Sequence, residues 1–487
     1  MSKSISKNAA FKAILNLFNI ILPILVMPAV TSALDPISYS YITKAETFNT
    51  IFLAFASFGV YQYGLREISK VRNDEKKLRQ TFTSLFVITT FTTIIISIIY
   101  AIFLFKFYRN DPAFYTCVIL GFNIVFNLFY VEWINEALEN YDFIAIKTMI
   151  VKIIYSILIL CVVRGQDDFL FYIYLGGAVN LINNILSYFY IKKRIKFDFS
   201  NLNLKKYIKP MFSVVILSNT GLLYTWIDRM MIDKYSFAMD LASYGIAQKA
   251  MLIINTLMLT IIQVTTPRLS NNLGNNSKED YLTLLNKVVK IYFLFLFPAS
   301  IGLLCVSKQV MWIFERHHSS YVPWFPLMMG FSIYMLTVGI QGIISNQIIY
   351  LHRKEREDIK IFFIGGVFNV IFNIILVITD TFTGANSIMA TMISNIIVIF
   401  LEYRVVKKQI KLDIHLFAFQ NIKYFYYSLP FIPITFGINI LLPNMILSCT
   451  LDVITCGALY LGILFITKDV VFFEIYDRGV TKFKALF

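Results

Sequence analysis

Apolar residues in this chain come in long, nearly unbroken runs. They do not alternate as in a half-buried strand, nor form the single stripe of a soluble surface helix. Fourteen runs can be marked, at about 8–32, 40–63, 80–105, 112–136, 143–163, 168–190, 208–232, 240–266, 284–306, 323–351, 359–378, 384–404, 418–441 and 446–466. Each is close to the roughly 20 residues that cross a bilayer core as a helix. The pattern predicts an all-α, polytopic membrane protein of about fourteen spans, with the last pair least cleanly separated. The segments between runs are short and polar; the longest on its side, about 307–322, is too small for a soluble catalytic domain. Function must therefore reside among the helices.

Composition sharpens this reading. Only 15% of the 487 residues are charged and 57% are hydrophobic, where a water-facing surface needs roughly a quarter charged. A net charge of +15 would suit a nucleic-acid partner if the basic residues formed one face. They sit instead in short loops between apolar runs, which argues for membrane topology and against nucleic acid. With the amino terminus placed in the cytoplasm, the outside loops carry only Lys106, Arg109, Arg164, Lys234, Lys308 and Arg316. Inside segments such as Arg66–Arg79 and Lys192–Lys209 carry most of the remaining Lys and Arg. The positive-inside rule then places both termini in the cytoplasm of a multi-pass cell-membrane protein. No cleavable signal peptide is expected, because the first run lacks a persuasive cleavage site. The five cysteines have no CxxC or metal-ligand spacing, the adjacent His317 and His318 form no ligand cluster, and no GxxxxGK[ST] loop occurs. Neither a metal, a cofactor nor an ATPase is indicated.

One self-similarity bears on organisation. Ser38-Tyr39-Ser40-Tyr41-Ile42-Thr43-Lys44-Ala45 opens the second run, and Ser243-Tyr244-Gly245-Ile246-Ala247-Gln248-Lys249-Ala250 lies near the start of the eighth. Both read S-Y-x4-K-A, and both runs continue about twenty residues to an arginine, Arg66 or Arg268. An offset of six spans is even, so the copies cross in the same direction. That predicts two pseudo-symmetric six-helix lobes, as in parallel-repeat transporters. The expected divisions are 1–200 for the amino-terminal lobe, 201–410 for the second, and 411–487 for two further helices and a tail.

Six cations fall inside the runs: Lys44, Lys147, Lys152, Arg229, Lys249 and Lys423. An ionisable group at mid-membrane costs a few kcal/mol and usually faces a cavity or a partner. Lys147, Lys152 and Lys423 lie near the inner ends, where long stems can reach the interface. Lys44, Arg229 and Lys249 lie one to three turns below the outer surface and are candidates to line a cavity that takes a phosphate or pyrophosphate. The competing reading is structural pairing, Arg229 with Asp228 and Lys44 with Glu46. The same two acids, Glu46 and Asp228, are candidate ion-coupling groups. Glu132, Glu136 and Glu139 are spaced for one helix face, as a gate pairing with nearby lysines or as a solvated interface. Pro23, Pro28, Pro298, Pro323 and Pro326 fall in or beside runs and suit helices that bend.

Several stretches resemble a known family. Asn16-Leu17-Phe18-Asn19-Ile20-Ile21-Leu22-Pro23 and Phe58-Gly59-Val60-Tyr61-Gln62-Tyr63-Gly64-Leu65-Arg66-Glu67-Ile68 resemble Wzx-type polysaccharide repeat-unit flippases of the MOP superfamily. Val131-Glu132-Trp133-Ile134-Asn135-Glu136-Ala137-Leu138-Glu139-Asn140-Tyr141 is similar to the branch serving teichoic and lipoteichoic acid in Gram-positive cocci. Further likeness lies in Ile227-Asp228-Arg229, Thr266-Pro267-Arg268-Leu269-Ser270 and Thr467-Lys468-Asp469. The resemblance implies two six-helix lobes around a central cavity plus two trailing helices. It implies transport of an undecaprenyl-pyrophosphate-linked oligosaccharide from the inner to the outer leaflet, with membrane lipids and polymer assembly enzymes as partners. It does not separate teichoic acid from capsule. A MATE-type multidrug exporter would share the lobes but usually stops at twelve spans. A membrane enzyme such as a polymerase would carry a sizeable outside loop, which this chain lacks.

Overall fold

The structure is a computed structural model, and it describes residues 5–200, 202–219, 224–274, 278–314 and 320–484. The pair His317 and His318, together with Arg316, lies outside the described residues. Every regular element described is helical, and the chain divides into two compact units, Met1–Ala242 and Ser243–Phe487.

The first unit contains α1 (Ile5–Ala33), α2 (Pro36–Ala56), α3 (Val60–Val71), α4 (Glu75–Phe107), α5 (Phe114–Phe126), α6 (Glu132–Ala137), α7 (Tyr141–Val162), α8 (Phe169–Lys192), α9 (Leu204–Ser218) and α10 (Thr225–Tyr235). Next comes α11 (Ala238–Gly274), which runs across the division into the second unit. The second unit continues with α12 (Lys278–Cys305), α13 (Ser307–Ile313), α14 (Phe325–Ile343), α15 (Glu355–Ile378), α16 (Gly384–Val405), α17 (Phe419–Ser428), α18 (Phe431–Leu441), α19 (Met445–Ile466) and α20 (Val470–Lys484). The division falls within α11, and in the first unit α9 packs on α3 and α4 while α10 packs on α2.

Among the described residues, ten helices are long and apolar enough to cross a membrane: α1, α4, α7, α8, α11, α12, α14 with its flanking turns, α15, α16 with its following turn, and α19. The other four predicted runs differ for identifiable reasons. The second, α2, is long enough but carries Lys44 and several Ser, Thr and Asn on its packed face, with Glu46 half-buried. The fourth is interrupted after α5 by a 3₁₀ turn at Asn127–Phe129. The seventh appears as the two pieces α9 and α10. The thirteenth breaks between α17 and α18 at Pro430, which lacks an amide donor and crowds the carbonyl four residues back.

Burial in the first unit is inverted relative to a soluble domain. Along α4, Phe91, Ile94, Ile98, Ile102 and Phe105 form a stripe 47–67% exposed, while Thr81, Thr83, Thr89 and Thr93 are buried. Only a hydrocarbon solvent makes that stripe stable. Polar side chains on and beside this helix close on backbone or on a neighbouring side chain. Thr92 Oγ1 donates to Ala56 O at 2.8 Å, and Asn127 Nδ2 donates to Thr93 Oγ1 at 2.9 Å. These bonds serve the frayed end of α2 and the broken run after α5, where helical partners are missing. After α2 the chain turns through Phe58 and Gly59, both at positive φ (47° and 69°). A Cβ on Gly59 would sit 2.9 Å from Met211 O, so only glycine fits that turn. The turn aims α3 across one end of the unit, where Val60, Tyr63, Phe82, Trp133 and Met211 form a buried cluster.

The second unit is tied in the same manner. Ser300 Oγ donates to Ser332 O at 2.5 Å, and Tyr460 OH to Leu294 O at 2.8 Å. The carboxy-terminal ends of α14 and α16 each loosen into a π-helical turn, Ile344–Ile349 and Val406–Ile410, and the two turns pack together.

Candidate functional site

The start of α2 is fixed first. Asp35 caps it, its Oδ1 accepting the Ser38 amide at 2.7 Å, and Pro36 presets the first helical φ. Gln166 adds an anchor by accepting the Asp35 amide at 2.9 Å and donating to the Ser38 hydroxyl. Lys44 then falls on the packed face about two turns further on. It is 9% exposed, and its ammonium lies 2.7 Å from Asp111 Oδ2 and 2.7 Å from Asp233 Oδ1. The Tyr108 ring closes a third side, its centroid 5.7 Å away. One ammonium between two carboxylates leaves a net charge of −1 and ties together α2, the α4–α5 loop and α10. The partners of Lys44 are therefore Asp111 and Asp233, not the Glu46 of the structural-pairing alternative, and in this conformation its charge is engaged by both.

Asp228 and Arg229 lie on α10 and are 0% and 2% exposed. The Arg229 guanidinium stacks over Trp226, 4.7 Å from the ring centroid, an arrangement favoured by its flat, weakly hydrated cation. Glu46 is half-buried on α2. Lys249 is half-buried on α11 and belongs to the second unit, whereas Arg229 and Lys44 belong to the first.

The three glutamates do not share one helix face. Helix α6 ends at Ala137, and Glu139 has φ 58°, so the spacing that would carry one face from Glu132 to Glu139 is broken. Each glutamate meets its own partner. Glu132 takes Lys147 of α7 at 3.2 Å through both oxygens and the Ser187 hydroxyl of α8 at 2.5 Å. Glu136 accepts Tyr61 OH at 3.0 Å with Lys12 at 3.9 Å, and Glu139 meets Arg72 at 2.5 Å.

The cations expected to reach the interface by their stems are held by side chains instead. Lys147 is 8% exposed and, besides Glu132, donates to Ser187 Oγ at 2.7 Å. Lys152 donates to Asn19 Oδ1 of α1 at 2.7 Å. Lys423 pairs with Asp469, which Tyr424 also approaches.

The sequence reading missed Asp111, Asp233, Ser187 and Tyr61 as partners. Asp111 and Asp233 sit just beyond predicted run ends, where an acid reads as an ordinary loop residue. Only the placement of loop against helix brings them to Lys44. In the second unit a cavity of about 280 Å³ lies among α12, α18 and α19, lined by apolar groups, Cys305, Cys456 and one carboxylate, Asp452. With no cation in its lining, it is not a phosphate site. Among the described residues no group of three or more His, Cys, Asp or Glu is arranged to hold a metal.

The chain matches two family models: polysaccharide biosynthesis protein over residues 5–273, and lipid II flippase MurJ over residues 140–461. It is 19% identical over 360 residues to a putative O-antigen transporter of Shigella dysenteriae, covering 73% of this chain and 88% of that one. Among solved structures it is similar to a lipid II flippase MurJ in an inward closed conformation, with TM-score 0.65 and 17% identity, covering 96% of this chain and 99% of that one. An inward-facing multidrug resistance MATE family transporter of the MOP superfamily gives TM-score 0.62 and 14% identity, covering 80% and 94%. At these identities the structural likeness is one of fold.

Proposed function

We propose that this chain, which belongs to the polysaccharide biosynthesis protein family and to the MurJ flippase family, moves an undecaprenyl-pyrophosphate-linked oligosaccharide from the inner to the outer leaflet by alternating access. It is a multi-pass membrane transporter of the flippase type. The observation that carries the cargo is the pair of overlapping family matches, which together span 5–461 and are described by polysaccharide biosynthesis and by a lipid II flippase. The teichoic acid branch is the finer reading, supported by the 131–141 stretch. The MATE-type exporter is the second reading, favoured by shared fold; the greater share of the chain taken in by the MurJ likeness supports the flippase.

In this account the termini are cytoplasmic, the sugar occupies a watery cavity and the polyprenyl tail stays in lipid. Arg229 and Lys249 attract the pyrophosphate. The flat guanidinium of Arg229 suits two phosphate oxygens at once. Lys44 joins the headgroup site only in a conformation where its bond to Asp233 has opened. In the conformation described here it latches α2 to α10. Glu132 and Glu136, paired to Lys147 and Tyr61, act as gate elements that exchange partners as the lobes rock. The membrane potential, negative inside, drives an anionic headgroup outward at about 2.3 kcal/mol per charge per 100 mV, with Glu46 and Asp228 as coupling acids. Membrane lipids bathe the tail, and polymer assembly enzymes take the cargo outside.

The test is genetic complementation of a flippase-null strain. The double variant Arg229→Gln with Lys249→Gln should express and insert normally yet fail to restore polymer. Full restoration would remove the headgroup assignment.

A further inference from the structure

At the end of the second unit where the two π-helical turns meet, two acids face each other without a base. Glu402 is on α16, one residue before Tyr403 and just ahead of the Val406–Ile410 π turn, and is 0% exposed. Asp358 is half-buried in the first turn of α15. Each spends one oxygen on a neutral donor: Gln341 Nε2 donates to Glu402 Oε1 at 2.8 Å, and Ser345 Oγ donates to Asp358 Oδ2 at 2.5 Å. The other two oxygens, Glu402 Oε2 and Asp358 Oδ1, are buried and accept from no donor. The two carboxyls nevertheless lie within hydrogen-bonding reach of one another.

Ionised carboxylates only accept hydrogen bonds. Two such groups side by side, each with an oxygen out of water, repel unless something positive lies between them. Among the described residues, no cation of the surrounding elements is paired with either acid, and Arg353 and Lys408 are exposed. From the α14 side and its π turn come the neutral Gln341 and Ser345. From α15 the charge acting on Asp358 is Glu355, another acid, while Lys360 is bonded to Glu357 and Arg356 is exposed. From α16 and its π turn, Arg404 is exposed and Lys407 is bonded to Asp413. In the connecting turn His352 is bonded to the Ile348 carbonyl, and Lys354 acts on Glu357. The missing donor is a proton.

We propose that Asp358 and Glu402 are a proton-binding dyad, holding one proton between Asp358 Oδ1 and Glu402 Oε2 and exchanging it with water during transport. The bound state is one carboxylic acid donating to one carboxylate, net charge −1. Release sends the proton to water past the half-buried Asp358 and leaves two carboxylates, net charge −2. Asp358 is the side that keeps its negative charge, because it sits at the positive end of the α15 dipole; the proton rests on Glu402. Once both are ionised, repulsion moves Asp358 away and pulls on Ser345, which is part of the Ile344–Ile349 π turn. That turn is already tied to two other helices. Gln347 Nε2 donates to Ile262 O of α11 at 2.9 Å, and its own carbonyl accepts Tyr281 OH of α12 at 2.8 Å. π turns hold a loosened hydrogen-bond ladder and are common at functional sites. The dyad thus has a mechanical outlet into α11, the helix that carries Lys249. The coupling half of this inference rests on the transport function proposed above, whereas proton binding does not.

The experiment is infrared difference spectroscopy on the purified full chain in lipid vesicles, in H2O and D2O, across pH. The wild type should show a protonated-carboxyl band at neutral pH that shifts in D2O, disappears as pH rises, and is missing from Glu402→Gln. Asp358→Asn, which breaks the sharing without removing Glu402, should shift the band. Absence from the wild type of any such titrating band would overturn the proposal. So would a sodium-dependent rise in melting temperature that Glu402→Gln abolishes, since that assigns the orphaned oxygens to a metal cation. In the same vesicles an imposed pH gradient should change the wild-type rate of labelled lipid-linked oligosaccharide exchange; a rate indifferent to the gradient refutes coupling. If exchange is absent altogether while the band is present, the transport function fails and the proton site stands.

Discussion

Lys44 offers the sharpest test of how the buried charges are used. Its ammonium links α10 to the α4–α5 loop through Asp233 and Asp111, and the three side chains are 10%, 14% and 23% exposed. Replacing it with methionine keeps the stem and deletes the charge. Both carboxylate oxygens lie 2.7 Å from the same nitrogen, so they stay within about 5 Å of each other if nothing moves, and at an effective dielectric of 20 they repel by about 3 kcal/mol. Two charge-assisted hydrogen bonds are lost as well, but the freed carboxylates can move apart, so the net cost is about 3–5 kcal/mol, the usual cost of leaving a buried ion without its partner. At roughly 2–4 °C per kcal/mol for a unit of this size, Lys44→Met should lower the apparent melting temperature by about 6–20 °C. The triple variant Lys44→Met, Asp111→Asn, Asp233→Asn removes the repulsion and should recover most of that loss. Tryptophan fluorescence of protein purified in detergent reads both. A single variant that melts with the wild type, or a triple variant no better than the single, would refute the claim that this ammonium holds two buried carboxylates.

Other consequences follow from the same geometry. Gly59→Ala should cost more than about 1 kcal/mol, since φ is 69° and the added Cβ meets Met211 O at 2.9 Å; a melting curve checks it, and an unchanged curve means that the α2–α3 turn is drawn wrongly. Lys147→Met and Glu132→Gln should each destabilise by about 3 kcal/mol, and the double variant by much less than their sum; additive losses in the cycle would count against the pair. Trp226→Ala should lower transport several-fold while Trp226→Phe retains most of it, because a ring face under Arg229 is worth about 0.5–2 kcal/mol; equal rates for the two would assign Trp226 to bulk packing alone.

The helical, membrane-spanning class was legible because long apolar runs need nothing beyond local composition to be recognised. The places where runs break were harder. Pro430 marks one break by its chemistry, but the turn at Phe58–Gly59 depends on the approach of Met211 from α9, a contact that no local pattern announces. The intramembrane charges were legible as unusual positions, since any ionisable residue inside an apolar run stands out. Their partners were not, because pairing is set by tertiary placement. Lys44 lies two residues from Glu46 in sequence yet bonds to residues 67 and 189 positions away. Two residues apart on a helix point in different directions, which was a physical reason to look further. The Glu132–Glu139 spacing failed for a related reason: the periodicity argument assumes a continuous helix, and α6 lasts only six residues. Asp358 and Glu402 went unremarked because each lies at a run edge where an acid reads as interfacial, and only the packing of α15 on α16 buries them together.

The central claim is cargo transport. Purified protein reconstituted in liposomes with a labelled undecaprenyl-pyrophosphate-linked oligosaccharide, scored for leaflet exchange under an imposed inside-negative potential, tests it most directly. The account predicts exchange well above empty liposomes, lost in the Arg229→Gln, Lys249→Gln double variant. Folded protein that exchanges none of the candidate lipid-linked cargoes, but extrudes cationic dyes, would contradict it and leave the multidrug exporter in its place.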